Sequence, residues 1–231
     1  MPHMNFSTDN TAVREEICRI GESLFARGYV HASAGNISVR MDDGFLITPT
    51  DACLGFLQPD ELAFVYASGT QRSGQRASKT LAMHQHIYAS AYSLSPHTRC
   101  VIHTHSTHLV ALSLRDTAFT TPLGKELLAP ITPYFVMKVG HVPLIDYHRP
   151  GDPAAAALVA QTIARYGAQN LPLHAVMLSR LGPNVWHDTL AQAMATLEEL
   201  EETARLHMLC PAQPLSAIQI EELRQSFGAH W

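Results

Sequence analysis

Cys100-Val-Ile-His103 reads as a short strand with no polar side chain before its last residue, and such a run belongs inside a sheet covered on both faces. A helix from Ser106 to Leu114 follows it. The rest of the chain supplies cover. Val13, Ile17, Ile20, Leu24 and Phe25 recur at helical spacing from Thr11 to Arg27, with Gly28 as a stop. A second helix starts near Lys79 and runs through Met83 and Ile87 to Tyr92. Asp152 is a helix N-cap for the alanine-rich run to Tyr166, after the turn Arg149-Pro-Gly-Asp152. A long helix from Asp188 carries Leu190, Met194, Leu197, Ala204 and Met208 on one face and ends before Pro211. Ser216 and Gln219 form a capping box for a last helix.

Further strands are read at Asn36–Arg40 and Phe45–Thr48, around the Asp42-Asp43-Gly44 turn, and at Leu62–Tyr66, Val142–Tyr147 and His174–Ser179. Ser68 to Ser78 reads as a loop. There is no repeat, linker or low-complexity tract, so residues 1–231 are expected to form one domain, a mixed or antiparallel central sheet covered by helices.

Composition excludes several classes of function. With 46% hydrophobic and 16% charged residues in 231, the chain is globular and can bury a sizeable core. Its net charge of −4, and a most basic stretch (Arg72 to Lys79) that holds only Arg72, Arg76 and Lys79, argue against nucleic acid as a partner. No apolar window is long enough to span a membrane. Met1 to Phe6 has no secretory-signal pattern, so a cytoplasmic location is expected. Cys18, Cys53, Cys100 and Cys210 show no paired spacing, as befits reduced thiols. The outlying number is histidine, at 14.

The densest cluster is Val101-Ile-His-Thr-His-Ser-Thr-His108. Side chains at i and i+2 of a strand end share a face, so His103 and His105 can point at one cation. A histidine-rich turn with solvated or hydrogen-bonded rings explains the pair equally well. His108 is expected to be a neighbour rather than a ligand. His84 and His86 lie about 200° apart around a helix, so they do not share a metal. His84 lies one turn after Thr80, within reach of it. Two other segments suit an anion. Ser33-Ala-Gly-Asn-Ile-Ser38 brings backbone N–H groups and the Asn36 amide to a turn, and Ser78-Lys79 stands at a helix start, with Thr48-Pro-Thr50 as a source of hydroxyls.

Taken in order, Ser33–Ser38, Ile47-Thr-Pro-Thr50, the helix start ending in Met83-His84, Val101–His105 and Leu181-Gly-Pro183 resemble the class II aldolase/adducin family over about residues 12–226. Thr132–Gly140, Pro143-Leu and Tyr147–Asp152 are most similar to its 3-oxo-tetronate 4-phosphate decarboxylase branch. The resemblance implies a three-layer α/β/α sandwich with a mostly antiparallel central sheet, assembled as a homotetramer. It also implies a lyase acting on a small phosphorylated sugar acid with zinc or another divalent cation.

Residue by residue, it assigns the metal to His103 and His105, with His84 as a recruit. Asn36, Thr50, Ser78 and Lys79 fall at the phosphate side, and Tyr134 matches a tyrosine directed to a neighbouring subunit's site. The family's acid/base glutamate falls at Thr80, and its third metal histidine at Leu181. Three readings stand at this point: a decarboxylase, which needs no base to take a hydroxyl proton; a non-catalytic binding or structural member with a degraded metal site; and a sugar-phosphate aldolase.

Overall fold

The computed structural model describes residues 10–115 and 118–231, and in it Cys100–His103 forms strand β5 inside an eight-stranded sheet. The Met1–Phe6 segment lies outside the described residues. The other strands are β1 (Asn36–Arg40), β2 (Gly44–Ile47), β3 (Ala63–Tyr66), β4 (Gln71–Ser73), β6 (Phe119–Thr121), β7 (Gly124–Glu126), β8 (Leu144–Ile145), β9 (Ala175–Leu178) and β10 (Gly182–His187). The main sheet runs β4-β3-β2-β1-β5-β10-β9-β8, and β6 and β7 form a separate hairpin. Every pairing in the main sheet is antiparallel except β8 with β9.

Helices cover both faces because both faces of the central strands are apolar. The helices are α1 (Thr11–Ala26), α2 (Leu81–Ala91), α3 (Thr107–Ser113), α4 (Pro133–Lys138), α5 (Pro153–Gly167), α6 (Leu190–Leu209) and α7 (Ala217–Phe227). Val101, Trp186, Val176 and Leu178 pack under Ile87 and Tyr88 of α2 and Val159, Ile163 and Tyr166 of α5. Ile37, Ile102, Val185 and Met177 point the other way, against Ile17 and Leu24 of α1, Leu109 of α3 and Leu197 and Leu200 of α6. This alternation, period two along each strand, makes the three-layer α/β/α sandwich.

The caps read in the sequence are made. Asp152 accepts from the Ala154 N–H with Pro153 in the first turn of α5, and Ser216 and Gln219 bond reciprocally at the start of α7. The long helix starts two residues later than expected, at Leu190, because Thr189 takes the cap by accepting from the Gln192 N–H.

Other expectations change. The Val142–Tyr147 strand shrinks to Leu144–Ile145, which pairs with β9, while Pro143 makes only an isolated bridge to Glu126 on the other side. Gln71–Ser73, read as loop, pairs with β3. Gly182 and Pro183 open the six-residue strand β10, a strand that the sequence does not signal. No helix among the described residues is long and apolar enough to cross a membrane.

At one end of the β9–β10 pair the rings of His174 and His187 stack at 4.2 Å and 5°. Burial, and then His187, push His174 down to about 4; burial also lowers His187. His174 is therefore neutral in the fold and protonated in the unfolded chain below about pH 6.5, so the fold loses stability as pH falls from there towards 4. His174→Phe, which keeps a flat ring, is expected to reduce that slope by about 1.4 kcal/mol per pH unit. Urea unfolding midpoints across this window measure it, and an unchanged slope would contradict the assignment.

Candidate active site

Three adjacent strands place a polar row across the sheet. Asn36 of β1 pairs with His103 of β5, which pairs with Asn184 of β10. Cross-strand partners share a face, so the three side chains stand side by side on the α2–α5 face. All are buried, with exposures of 6%, 5% and 2%. Gly35 makes the approach possible: its φ is +85°, and a Cβ there would stand 2.6 Å from the Val30 side chain and 2.9 Å from the His103 carbonyl oxygen.

His103 donates from Nδ1 to the Pro183 carbonyl at 2.8 Å, so Nε2 of the neutral ring carries a bare lone pair. Burial, then His105, push its pKa down to about 4. The His105 ring lies 5.1 Å from that of His103, and His31 flanks His105 at 6.2 Å. His105 is also lowered, by burial and then by His31. His31 was not singled out by the sequence; nothing local marks it. His108 leaves the group altogether, its Nδ1 meeting the Glu201 carboxylate at 2.8 Å.

His84 is fully buried, and its Nδ1 lies 2.7 Å from the Ser38 hydroxyl, which lies 2.8 Å from Tyr88 Oη. Tyr88 donates its one proton to the Ser38 carbonyl. The Ser38 hydroxyl then donates to Tyr88 and accepts from His84 Nδ1–H, which leaves His84 Nε2 as a second bare lone pair. That nitrogen has no partner among the described residues. Burial and the nearby His103 hold His84 down to about 3. Thr80 and His84 do not meet through their side chains: Thr80 lies against the Ser78 hydroxyl at 2.8 Å.

Residues 48–50 and 76–78 run beside each other, with Thr50 N–H donating to the Arg76 carbonyl and Ser78 N–H to the Thr48 carbonyl. Thr50, Ser78 and Lys79 thus gather at the start of α2. Thr48 ties this segment to the row by accepting from the Ile37 N–H. Asn36 Oδ1 is buried with no partner among the described residues.

Next to these groups is a cavity of about 160 Å³ that Thr80, His103, Leu181 and Asn184 line. Its far side is the 146–156 segment, which contains the Arg149–Asp152 turn and the Tyr147–Asp152 stretch that carried the branch resemblance. Tyr134 is 62% exposed and lines a different cavity with His174 and His187, at the other end of β10 from Asn184.

The donor set decides what this chain can hold by itself. Leu181 offers no lone pair and packs against the apolar cluster beneath α2 and α5, and Thr80 has no carboxylate. No group of three or more His, Cys, Asp or Glu among the described residues is arranged to hold a metal ion. The two adjacent imidazoles do not complete a three-ligand metal centre.

The fold and this site have counterparts. The model for the Class II Aldolase and Adducin N-terminal domain matches residues 15–208, and the chain belongs to that family. Within it, the chain is 50% identical over 226 residues to the 3-oxo-tetronate 4-phosphate decarboxylase of Cupriavidus necator, covering 95% of this chain and 97% of that one. It is 32% identical to the L-fuculose phosphate aldolase of Methanococcus vannielii, over 84% of this chain and 94% of the other. Among solved structures, the crystal structure of YgbL from Escherichia coli superposes with a TM-score of 0.80 at 38% identity, over 93% of this chain and 99% of its own.

Proposed function

We propose that the chain is a carbon–carbon lyase that decarboxylates a small phosphorylated sugar acid, 3-oxo-tetronate 4-phosphate or a close analogue. The observation that carries this is the anion-suited group of Thr50, Ser78 and Lys79 beside the buried row Asn36–His103–Asn184, in a chain half identical to a decarboxylase of that substrate. In such an acid the ketone is β to the carboxylate. The C1–C2 pair can therefore move onto the ketone oxygen as CO₂ leaves, and a proton taken up at C2 gives dihydroxyacetone phosphate. No base is needed to start that step, so Thr80 is compatible with it.

The chain's own residues supply position and exclusion of water. Lys79 and the hydroxyls of Thr50 and Ser78 bind the phosphate, and the bare His103 Nε2 accepts from a substrate hydroxyl. The family resemblance implies a divalent cation, zinc among them, as electrophile. This chain's own residues do not complete that site. The homotetramer implied by the resemblance would bring a neighbour's Tyr134 into play, and light scattering reads that state directly.

The test is CO₂ release from 3-oxo-tetronate 4-phosphate by the purified protein. His103→Ala is expected to lower kcat/KM by about 10²–10³, the usual cost of losing one positioned hydrogen-bonding group. A second reading, a non-catalytic family member that binds sugar phosphates, is favoured by the residues at 80 and 181. Thermal stabilisation by sugar phosphates without CO₂ release would select it. A sugar-phosphate aldolase, the third reading, would instead condense dihydroxyacetone phosphate with an aldehyde.

A further inference from the structure

We infer that the cavity between Thr80, Leu181 and Asn184 receives the substrate's carboxylate, and that these side chains set a preference for an acid over the matching phosphate that lacks the carboxylate. The inference deepens the reading proposed above and rests on it for the identity of the ligand.

Three observations carry it. The cavity's walls are largely apolar, built from Ala82, Met83, Ala155, Ala156, Leu178 and Leu181. Within that lining Asn184 is 2% exposed, and its Nδ2 has no acceptor among the described residues. A buried amide N–H left without an acceptor is destabilising, so the position calls for an acceptor from outside the chain. The charges at the rim point the same way. Lys79 lines both this cavity and the phosphate side, and it has no carboxylate partner among the described residues, whereas Arg149, also in the lining, is paired with Asp152. The two carboxylates in the lining are already engaged, Asp146 by Lys125 at 3.0 Å and Asp152 by the Ala154 N–H and Arg149.

An acceptor-bearing anion small enough for about 160 Å³, entering past cations, fits all three. A carboxylate does so with a chemical consequence. As the C1–C2 bond breaks, charge leaves the carboxylate for the ketone oxygen, so apolar walls weaken the hold on the reactant more than on the transition state. Thr80 matters here by being neutral, since a carboxylate at that position would repel the substrate's own.

Calorimetric titration with two unreactive ligands tests this. Erythronate 4-phosphate has a hydroxyl in place of the ketone and cannot lose CO₂, and the matching tetritol phosphate has CH₂OH in place of the carboxylate. The wild type is expected to bind the acid at least about tenfold more tightly. Thr80→Glu is expected to bring the ratio near one while the tetritol phosphate still binds, which shows that the variant is folded. Thr80→Val, of similar size and uncharged, should retain the preference, and Asn184→Leu should lower it.

Equal wild-type affinities for the two ligands, or a preference that survives Thr80→Glu, would overturn the inference. Acid preference without CO₂ release from the oxo acid would sustain this subsite and overturn the decarboxylase reading. CO₂ release without acid preference would do the reverse.

Discussion

Leu181→His is expected to give a protein that holds zinc at one ion per chain, with an affinity on the order of 100-fold or more above that of the wild type. The reason is position. Leu181 lines the same cavity as His103, and the next residue, Gly182, lies so close that a Cβ there would be 3.2 Å from the His105 Cα. An imidazole at 181 therefore joins two that already sit 5.1 Å apart, the first with its Nδ1 fixed by the Pro183 carbonyl and its Nε2 bare. A ligating histidine is normally oriented in this way, by a hydrogen bond from its other nitrogen. Metal analysis of both proteins after equal zinc exposure, followed by competition with a chelator, gives the comparison. If the variant holds no more zinc than the wild type, His103 and His105 do not converge on one point.

The largest loss of stability is expected from Gly182→Ala. Gly182 opens β10 at φ +143°, and a Cβ there would fall 1.9 Å from the Thr104 carbonyl oxygen and 2.9 Å from its carbon. Both are main-chain atoms, so no side chain can turn aside. β10 would have to leave β5, where it is held by the Asn184–His103 and Trp186–Val101 register. Destabilisation of about 4 kcal/mol or more is expected, the range reached when overpacking and backbone strain coincide. Gly151, also at positive φ (+77°) but with nothing within 4 Å of an added Cβ, is the control; its alanine variant should lose only about 1 kcal/mol. Urea midpoints for the two variants read the difference, and equal losses would mean that β10 can shift without cost.

The scaffold was legible in the sequence where one local signal decides one element. Cys100–His103, Asn36–Arg40, the Asp152 cap and the Ser216–Gln219 box all stand where propensity and pattern put them. The failures share a cause. Gly182-Pro183 is ordinarily punctuation, and it opens a strand here because β9 pairs with it, Gly182 opposite Leu178 and Pro183 opposite Met177, a contact made across the sheet. The hairpin of β6 and β7 and the short helix α4, which Thr132 caps for Phe135, were likewise unread.

In the site, the His103–His105 adjacency and the gathering of Thr50, Ser78 and Lys79 follow from local spacing and one loop pairing. Asn184, His31 and the 146–156 wall carry no such signal. Asn184 gains its role only from register with His103, and His31 only from packing beside His105. His84 was read as a neighbour of Thr80, whereas the sheet beneath it offers Ser38, a partner that helix geometry alone cannot reveal.

The row Asn36–His103–Asn184 joins stretches of chain that are remote in sequence and meet only across the middle of the sheet. Binding there is therefore thermodynamically linked to the whole fold. No local opening of a loop or terminus separates the three residues, so a bound ligand protects the molecule against global unfolding by RT ln(1 + [L]/Kd). Amide hydrogens of β1, β5 and β10 should slow together in its presence, and fragments that lack any one of these strands should not bind.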